Sequence, residues 1–298
     1  MTQRTSKTAS SALKIKIQPR ARDIGGGFQV RRALPFREKR MVGPFVFWDH
    51  MGPSNVSQKD PLVVRAHPHI GLSTLTYLFS GEILHRDSLG NETWIRPGEV
   101  NWMTAGEGIV HSERSHPKQA ALLEGIQLWV ALPKEKEEIS PSFHHFKTHQ
   151  LPTVQWQTME LKLIAGSFQK TSPVPVQSDL FLLETTLEKD QTIELPQEST
   201  KEMALYLVSG ALHVGNDLIQ PGELVVFKNE PDVIATLKTK HKSHFFIFGG
   251  EPLPEKRHLW WNFVASDFEK IKAAQSKWKD QKFPSVINET EFIPLPEA

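Results

Sequence analysis

Two short segments hold the residues best suited to chemistry: His67-Pro68-His69 and His111-Ser112-Glu113 each set two ligand-type side chains two residues apart. Successive side chains on a β-strand alternate between faces, so each pair projects from one face. Two such strands facing into one barrel would present three imidazoles and a carboxylate to a common point. That set suits a transition metal, and three nitrogens plus one oxygen fit Fe, Ni, Cu, Mn, Co or Zn. A six-coordinate ion would keep two positions open for substrate or oxygen, whereas a tetrahedral zinc would be closed and structural. The chain has no cysteine, which excludes thiolate ligands, disulfides and cysteine nucleophiles and argues mildly against structural zinc. One carboxylate leaves a divalent ion with net positive charge, which favours an anionic oxygen ligand such as a phenolate or enolate.

The elements that must position these residues read as strands. Short apolar runs at 45–48, 75–79, 126–132, 180–183, 224–227 and 244–248 are rich in β-branched and aromatic residues and are bounded by turn formers. Many strands with little helix between them predict an all-β sandwich or barrel. Self-similarity refines this. Tyr77-Leu-Phe-Ser-Gly81-Glu-Ile-Leu-His85 is echoed by Tyr206-Leu-Val-Ser-Gly210-Ala-Leu-His213, and Arg96-Pro-Gly-Glu-Val100 by Gln220-Pro-Gly-Glu-Leu224. Each copy reads as strand, Gly turn, strand and Pro-Gly turn, so two similar barrels in tandem are expected.

The repeat also supplies an internal control. The tyrosines differ by 206 − 77 = 129, which carries His67 and His69 onto Pro196 and Glu198. The Pro-Gly turns differ by 221 − 97 = 124, which carries His111 and Glu113 onto Ala235 and Leu237. One metal, held by the first barrel, is the expectation. The divisions are a flexible tail over 1–22, a metal-binding barrel over 23–135, a connector over 136–155, and a metal-free barrel with a C-terminal helix over 156–298. That helix has Ser266 as N-cap and Glu269 completing a capping box. Phe268, Ile271, Ala274 and Trp278 fall on one face and would brace a barrel.

Other polar residues read as structural. His144, His145 and His149 lie in a Lys/Glu-rich connector and read as solvated. His85 and His213 share a position after the repeated turn, which speaks for packing or exposure. His241 and His244 sit in a Lys-rich turn without a partner pair. Gly25-Gly-Gly27 is a turn, with no strand before it or helix after it to make a phosphate cradle. Asp49 and His50 would line the pocket, hydrogen-bond a ligand imidazole or stabilise a turn. Trp102 and Met103 are expected in the first barrel's interior as core. A formal net charge of +1 gives no reason to expect nucleic acid or an anionic membrane as partner. No apolar run is long enough for a membrane helix, and no apolar region follows the first basic residues as a secretory signal requires. A cytoplasmic location is expected.

The motifs taken together resemble the pirin family of the cupin superfamily. They are Arg31-Arg-Ala-Leu-Pro35, Gly43-Pro-Phe-Val-Phe-Trp-Asp-His50, His67-Pro-His-Ile-Gly71, Thr76-Tyr-Leu-Phe-Ser-Gly81, Asn101-Trp-Met-Thr-Ala-Gly106, Gly108-Ile-Val-His-Ser-Glu113 and Gln127-Leu-Trp-Val-Ala-Leu-Pro133. They cover roughly residues 25–133, and the second half matches more loosely. The resemblance implies a bicupin, two tandem jelly-roll-like cupin barrels, with metal in the first alone. Its ligands correspond to His67, His69, His111 and Glu113. Two departures are visible: Ser73 stands near where a general cupin offers a glutamate, and Ala131 stands where the signature often has Asn.

The family implies two activities. One is oxidative ring cleavage of a flavonol, as in quercetin 2,3-dioxygenases, with O2 and an aromatic or enolic small molecule as substrates. There Glu113 would be both ligand and the base that takes the hydroxyl proton. The other is an iron-bearing transcriptional co-regulator that binds a protein partner without turnover. The enzyme reading is favoured here, with one Fe(2+) as the expected cofactor and a monomer as the expected state.

Overall fold

Alternating apolar and polar residues set the strand faces, and pairing of those strands builds two barrels, each from a large sheet and a small one. The computed structural model describes residues 12–24, 27–116, 118, 120–195, 200–230 and 235–297. The first large sheet is seven-stranded. Its neighbours in order are Ser142–Phe146, Val100–Thr104, Leu72–Ser80, Ala121–Ala131, Phe45–Val56, Gln29–Leu34 and Arg20–Asp23. A four-stranded sheet faces it, in the order Val63–His69, Ile109–Ser115, Ile83–Asp87 and Glu92–Ile95. The second barrel repeats the plan. Its large sheet is built around Glu202–Ser209, Ser243–Gly250 and Leu180–Leu187, and its small sheet around Leu212–Val214 and Thr236–Thr239.

The repeated turns explain the repeated glycines. Gly81 and Gly210 both have positive φ, at 77° and 90°. A Cβ on Gly81 would stand 2.9 Å from the Leu122 carbonyl oxygen, and one on Gly210 2.6 Å from that of Lys242. Only glycine meets both demands cheaply. The all-β bicupin architecture expected from the repeat is what the chain adopts.

The barrels join through their large sheets. Trp48, Tyr77, Trp102, Ile126 and Leu128 of the first pack against Tyr206, Phe246 and Phe248 of the second in one continuous apolar core. Trp48 stacks on Phe248 at 4.3 Å between ring centroids. Because strand side chains alternate, the opposite face of the first large sheet is left to line a cavity. Trp102 therefore belongs to the core between the barrels, not to the first barrel's interior as expected. Its neighbour Met103 takes the other face, with Ala105 and Ile109.

Both ends of the chain depart from the expected divisions. The stretch 1–22 is not a flexible tail throughout, since Leu13–Ile17 pairs with Leu224–Phe227 of the second barrel and Arg20–Asp23 pairs with Gln29–Leu34 of the first. Residues 1–11 of that tail lie outside the described residues, as do Gly25 and Gly26. Within the connector, Ser142–Phe146 pairs with Val100–Thr104 and extends the first large sheet.

After the second barrel the chain returns to the first. The short strands His258–Trp260 and Phe263–Ala265 lead into helix α1, Phe268–Lys279. Ile271, Ala274 and Trp278 of α1 pack with Ala66, Ile70 and Val110 of the first barrel. The brace is as expected, but its cap is not. Asp267 caps the helix by accepting from the Glu269 backbone N–H. Ser266 instead bonds through its N–H and its hydroxyl to the buried carboxylate of Glu137. Phe268, expected on the apolar face, is 40% exposed. No helix among the described residues is long and apolar enough to cross a membrane.

Candidate metal centre

The strands Val63–His69 and Ile109–Ser115 are antiparallel neighbours, with His67 opposite His111 and His69 opposite Ile109. The i, i+2 spacing aims His67 and His69 the same way, and the register sets His111 beside them. One ring nitrogen from each histidine falls within 4.8 Å of the others, and all three residues are buried. Glu113 is not part of that tight group. The pairing slips between His111 and Glu113, and Glu113 lies buried on the same cavity. Its Oε1 is 3.2 Å from the Thr76 hydroxyl, and the Gln127 side chain also hydrogen-bonds it. The Thr76 hydroxyl in turn lies 2.7 Å from Gln127 Oε1.

Partners behind the rings decide which nitrogen each offers. His67 Nδ1–H donates to the Arg65 carbonyl at 2.8 Å, and His69 Nδ1–H to the Asn262 carbonyl at 3.0 Å. Their Nε2 atoms are left as lone pairs. Burial holds all three rings neutral: it lowers His67 to about 4 and drives His69 and His111 well below the usual imidazole range. The same burial pushes the Glu113 carboxyl up.

His69 Nε2 and His111 Nε2 stand 3.1 Å apart. With His111 also protonated on Nδ1, that contact would set lone pair against lone pair, and a cation between the two nitrogens would relieve it. Two nitrogens bound at right angles to an ion through bonds of ~2.1 Å would stand about 3.0 Å apart. The donor set and its spacing fit a metal ion.

The cavity in front of the rings has a volume of about 480 Å³, within the range of small-molecule sites. One wall is a run of stacked groups. His69 meets Trp129 edge-on at 5.0 Å, Trp129 stacks on Phe47 at 3.9 Å, and the Arg32 guanidinium covers Phe47 at 4.3 Å. Asp49 lines this cavity, and its partner is Arg32, at 2.8 and 2.7 Å, not a ligand imidazole. His50, next in sequence, points the opposite way into the seam between the barrels. There its ring contacts the Tyr206 hydroxyl at 2.9 Å and the Glu124 carboxylate at 3.1 Å.

The histidines of the connector and of the second barrel's Lys-rich turn stay apart from the cluster. His145 bonds Asn101 at 2.8 Å, His144 lies on the same edge strand and His149 sits in an exposed turn. His244 pairs with Glu184 at 2.9 Å. In the second barrel, the positions equivalent to His111 and Glu113 are the buried Ala235 and Leu237, part of an apolar core. Pro196 and Glu198 lie outside the described residues.

Three contributors escaped the sequence reading. The Asn262 carbonyl and the Trp261 side chain reach the site from the far end of the chain, and no local pattern announces that return. His85 is the third. It is buried, and its Nδ1 lies 3.5 Å from His111 Nδ1. Its signal was present, because His85-Arg86-Asp87 has the same i, i+2 spacing as His111-Ser112-Glu113.

Comparison with known proteins agrees with this architecture. Residues 27–130 match the pirin family, and residues 182–284 match the pirin C-terminal cupin domain. A pirin-like protein of Caulobacter vibrioides is 46% identical over 294 residues, spanning 93% of this chain and 97% of that one. The crystal structure of a quercetin 2,3-dioxygenase from Acinetobacter baumannii superposes with a TM-score of 0.89 at 32% identity, covering 95% of each chain. A bacterial pirin of Escherichia coli, solved in complex with nickel(II), shares the fold with a TM-score of 0.63 at 17% identity, over 80% of this chain and 99% of that one. The chain therefore belongs to the pirin family, as a bicupin with its histidine cluster in the first barrel.

Proposed function

We propose that this pirin is a mononuclear metal-dependent dioxygenase that cleaves the heterocycle of a flavonol such as quercetin with O2. The observation that carries the reading is the convergence of three buried imidazoles beside a cavity lined by His67, His69 and the buried carboxylate of Glu113. The likeness to a quercetin 2,3-dioxygenase over 95% of the chain supports it.

His67, His69, His111 and Glu113 are the residues that would hold the ion, with Fe(2+) favoured and Ni, Cu, Mn, Co and Zn as alternatives. Such an ion supplies Lewis acidity and a template for an anionic substrate oxygen. Glu113 is the base for the substrate hydroxyl, being the only carboxylate among the four. Its burial raises its proton affinity toward that of the group it must deprotonate. Thr76 and Gln127 keep it aimed. The stacked Phe47 and Trp129 contribute an apolar, aromatic wall to the cavity. We read the protein as a cytoplasmic monomer.

The test is oxygen uptake and loss of the flavonol absorption band on adding quercetin after loading with each metal in turn. Turnover with at least one metal, absent in Glu113→Ala, is expected. No decay with Fe, Ni, Cu, Mn or Co would overturn the enzyme reading in favour of a metal-bearing regulator that binds a protein partner.

A further inference from the structure

Behind His111, on the side away from the cavity, stand two buried residues that the proposed chemistry does not use. His85 and Asp87 lie on the strand Ile83–Asp87, which pairs with the ligand strand so that Asp87 sits opposite His111 and His85 opposite Glu113. His85 Nε2 is 3.0 Å from Asp87 Oδ2, and His85 Nδ1 is 3.5 Å from His111 Nδ1. Both residues are almost inaccessible, at 3% and 0% exposure.

The chain of protons along these atoms has one consistent solution when His111 is a ligand. Asp87, held anionic by its hydrogen bonds, can only accept, so His85 Nε2 carries a hydrogen and donates it to Oδ2. His85 Nδ1 then presents a lone pair, since two hydrogens cannot point at one another across the 3.5 Å to His111 Nδ1. That lone pair faces His111 Nδ1, which must carry the hydrogen because His111 Nε2 is the atom turned toward His69. Asp87 is itself fixed. It accepts from the backbone N–H groups of Leu89 and Asn91 at 2.9 and 3.1 Å, and from the Asn91 side-chain amide. The turn after Asp87 is fastened to the residue before His111, with Ser88 N–H donating to the Val110 carbonyl and Val110 N–H to the Ser88 hydroxyl.

We infer that Asp87, His85 and His111 form a carboxylate–imidazole–imidazole relay that fixes the His111 tautomer and strengthens Nε2 as a metal donor. The other two rings rest against plain backbone carbonyls, so His111 alone is backed by a full negative charge. The second barrel gives the contrast: His213 matches His85, but the residue two further on is Gly215. The histidine recurs there without the carboxylate, in the barrel where Ala235 stands at the position matching His111. His85 and Asp87 are thus positioning residues, acting through His111.

The inference rests on the reading of His111 as a ligand, and not on the substrate. His85 also stacks on Phe143 at 4.3 Å with rings 10° from parallel, so a packing role must be separable from the relay. Two variants separate them. His85→Phe keeps the stacked ring and deletes the acceptor. His85→Asn loses the ring but sets an amide oxygen near the former Nδ1, where it can accept from His111.

Metal affinity is measured by chelator competition on full-length protein, and the midpoint potential of bound iron is measured alongside. The relay predicts about 10- to 100-fold weaker binding in His85→Phe, with the iron potential shifted upward because His111 becomes a poorer donor. His85→Asn stays near the wild-type affinity. Wild-type affinity and potential in His85→Phe, or a loss in His85→Asn as large as in His85→Phe, would overturn the relay. Failure of the wild-type chain to bind metal would instead remove the metal centre and the relay together.

Discussion

The Nδ1–H of His69 donates to the backbone carbonyl of Asn262, 193 residues further along the chain, at 3.0 Å. A ring of the first barrel is thus oriented by a strand turn that follows the second. The same segment is pinned beside Gly71, whose φ is +66° and where a Cβ would stand 2.0 Å from the Val264 carbonyl oxygen. Gly71→Ala should combine a left-handed conformation with an overpacked contact and destabilise the fold by about 2–5 kcal/mol. It should also loosen His69, so metal affinity falls as well. Urea unfolding with a parallel metal titration checks both, and unchanged affinity in a destabilised variant would show that the Asn262 contact is dispensable.

Metal content should be close to one ion per chain. The double variant His67→Ala/His111→Ala should retain none, since two of three convergent nitrogens are gone and the second barrel offers Ala235 and Leu237 at the matching positions. Chelation should also lower the melting temperature, because free metal at about 100 times its Kd stabilises the folded state by about 2.7 kcal/mol. Elemental analysis and a thermal scan with and without chelator are the measurements.

Glu113 should separate binding from turnover. It lies outside the tight histidine group and is held by Thr76 and Gln127. Glu113→Ala should abolish flavonol decay while weakening metal binding less than His111→Ala does. Equal loss of metal in the two variants would make Glu113 a ligand before anything else.

A pH effect should arise in the seam between the barrels. Burial lowers the His50 pKa, with the Arg31 charge adding to it and Glu124 opposing. His244 from the second barrel also faces this ring. The unfolded chain takes up this proton near pH 6.5, and the folded chain only at lower pH, so between the two the unfolded state binds more protons. Stability contributed by neutral His50 is therefore full above about pH 6.5 and declines as pH falls. The drop in urea midpoint between about pH 7.5 and 5.5 should shrink in His50→Gln. An identical drop in the variant would assign the effect to other histidines.

The site was legible where the chemistry is local. The pairs His67/His69 and His111/Glu113 obey the two-residue period of a strand, and the repeat of Tyr77 and Tyr206 announced two barrels. Competition between equivalent groups was not legible. Ser266 and Asp267 are both good caps, and the outcome was set by Glu137, which lies 129 residues away and occupies Ser266. Leu13-Lys-Ile-Lys-Ile17 alternates as an edge strand does, yet nothing within it names Leu224–Phe227 as its partner. The face taken by His50 is likewise set by pairing with the second barrel, not by its neighbours in sequence.

The crossing of the N-terminal strands has a consequence for how this molecule can be divided. Leu13–Ile17 completes the sheet of the rear half, and two residues later Arg20–Asp23 completes that of the front. The closing segment after the rear half returns to cover the front one. Neither half is a self-sufficient cassette. Severed in the connector, each half would carry off an end piece that the other needs to complete its sheet or cover its core.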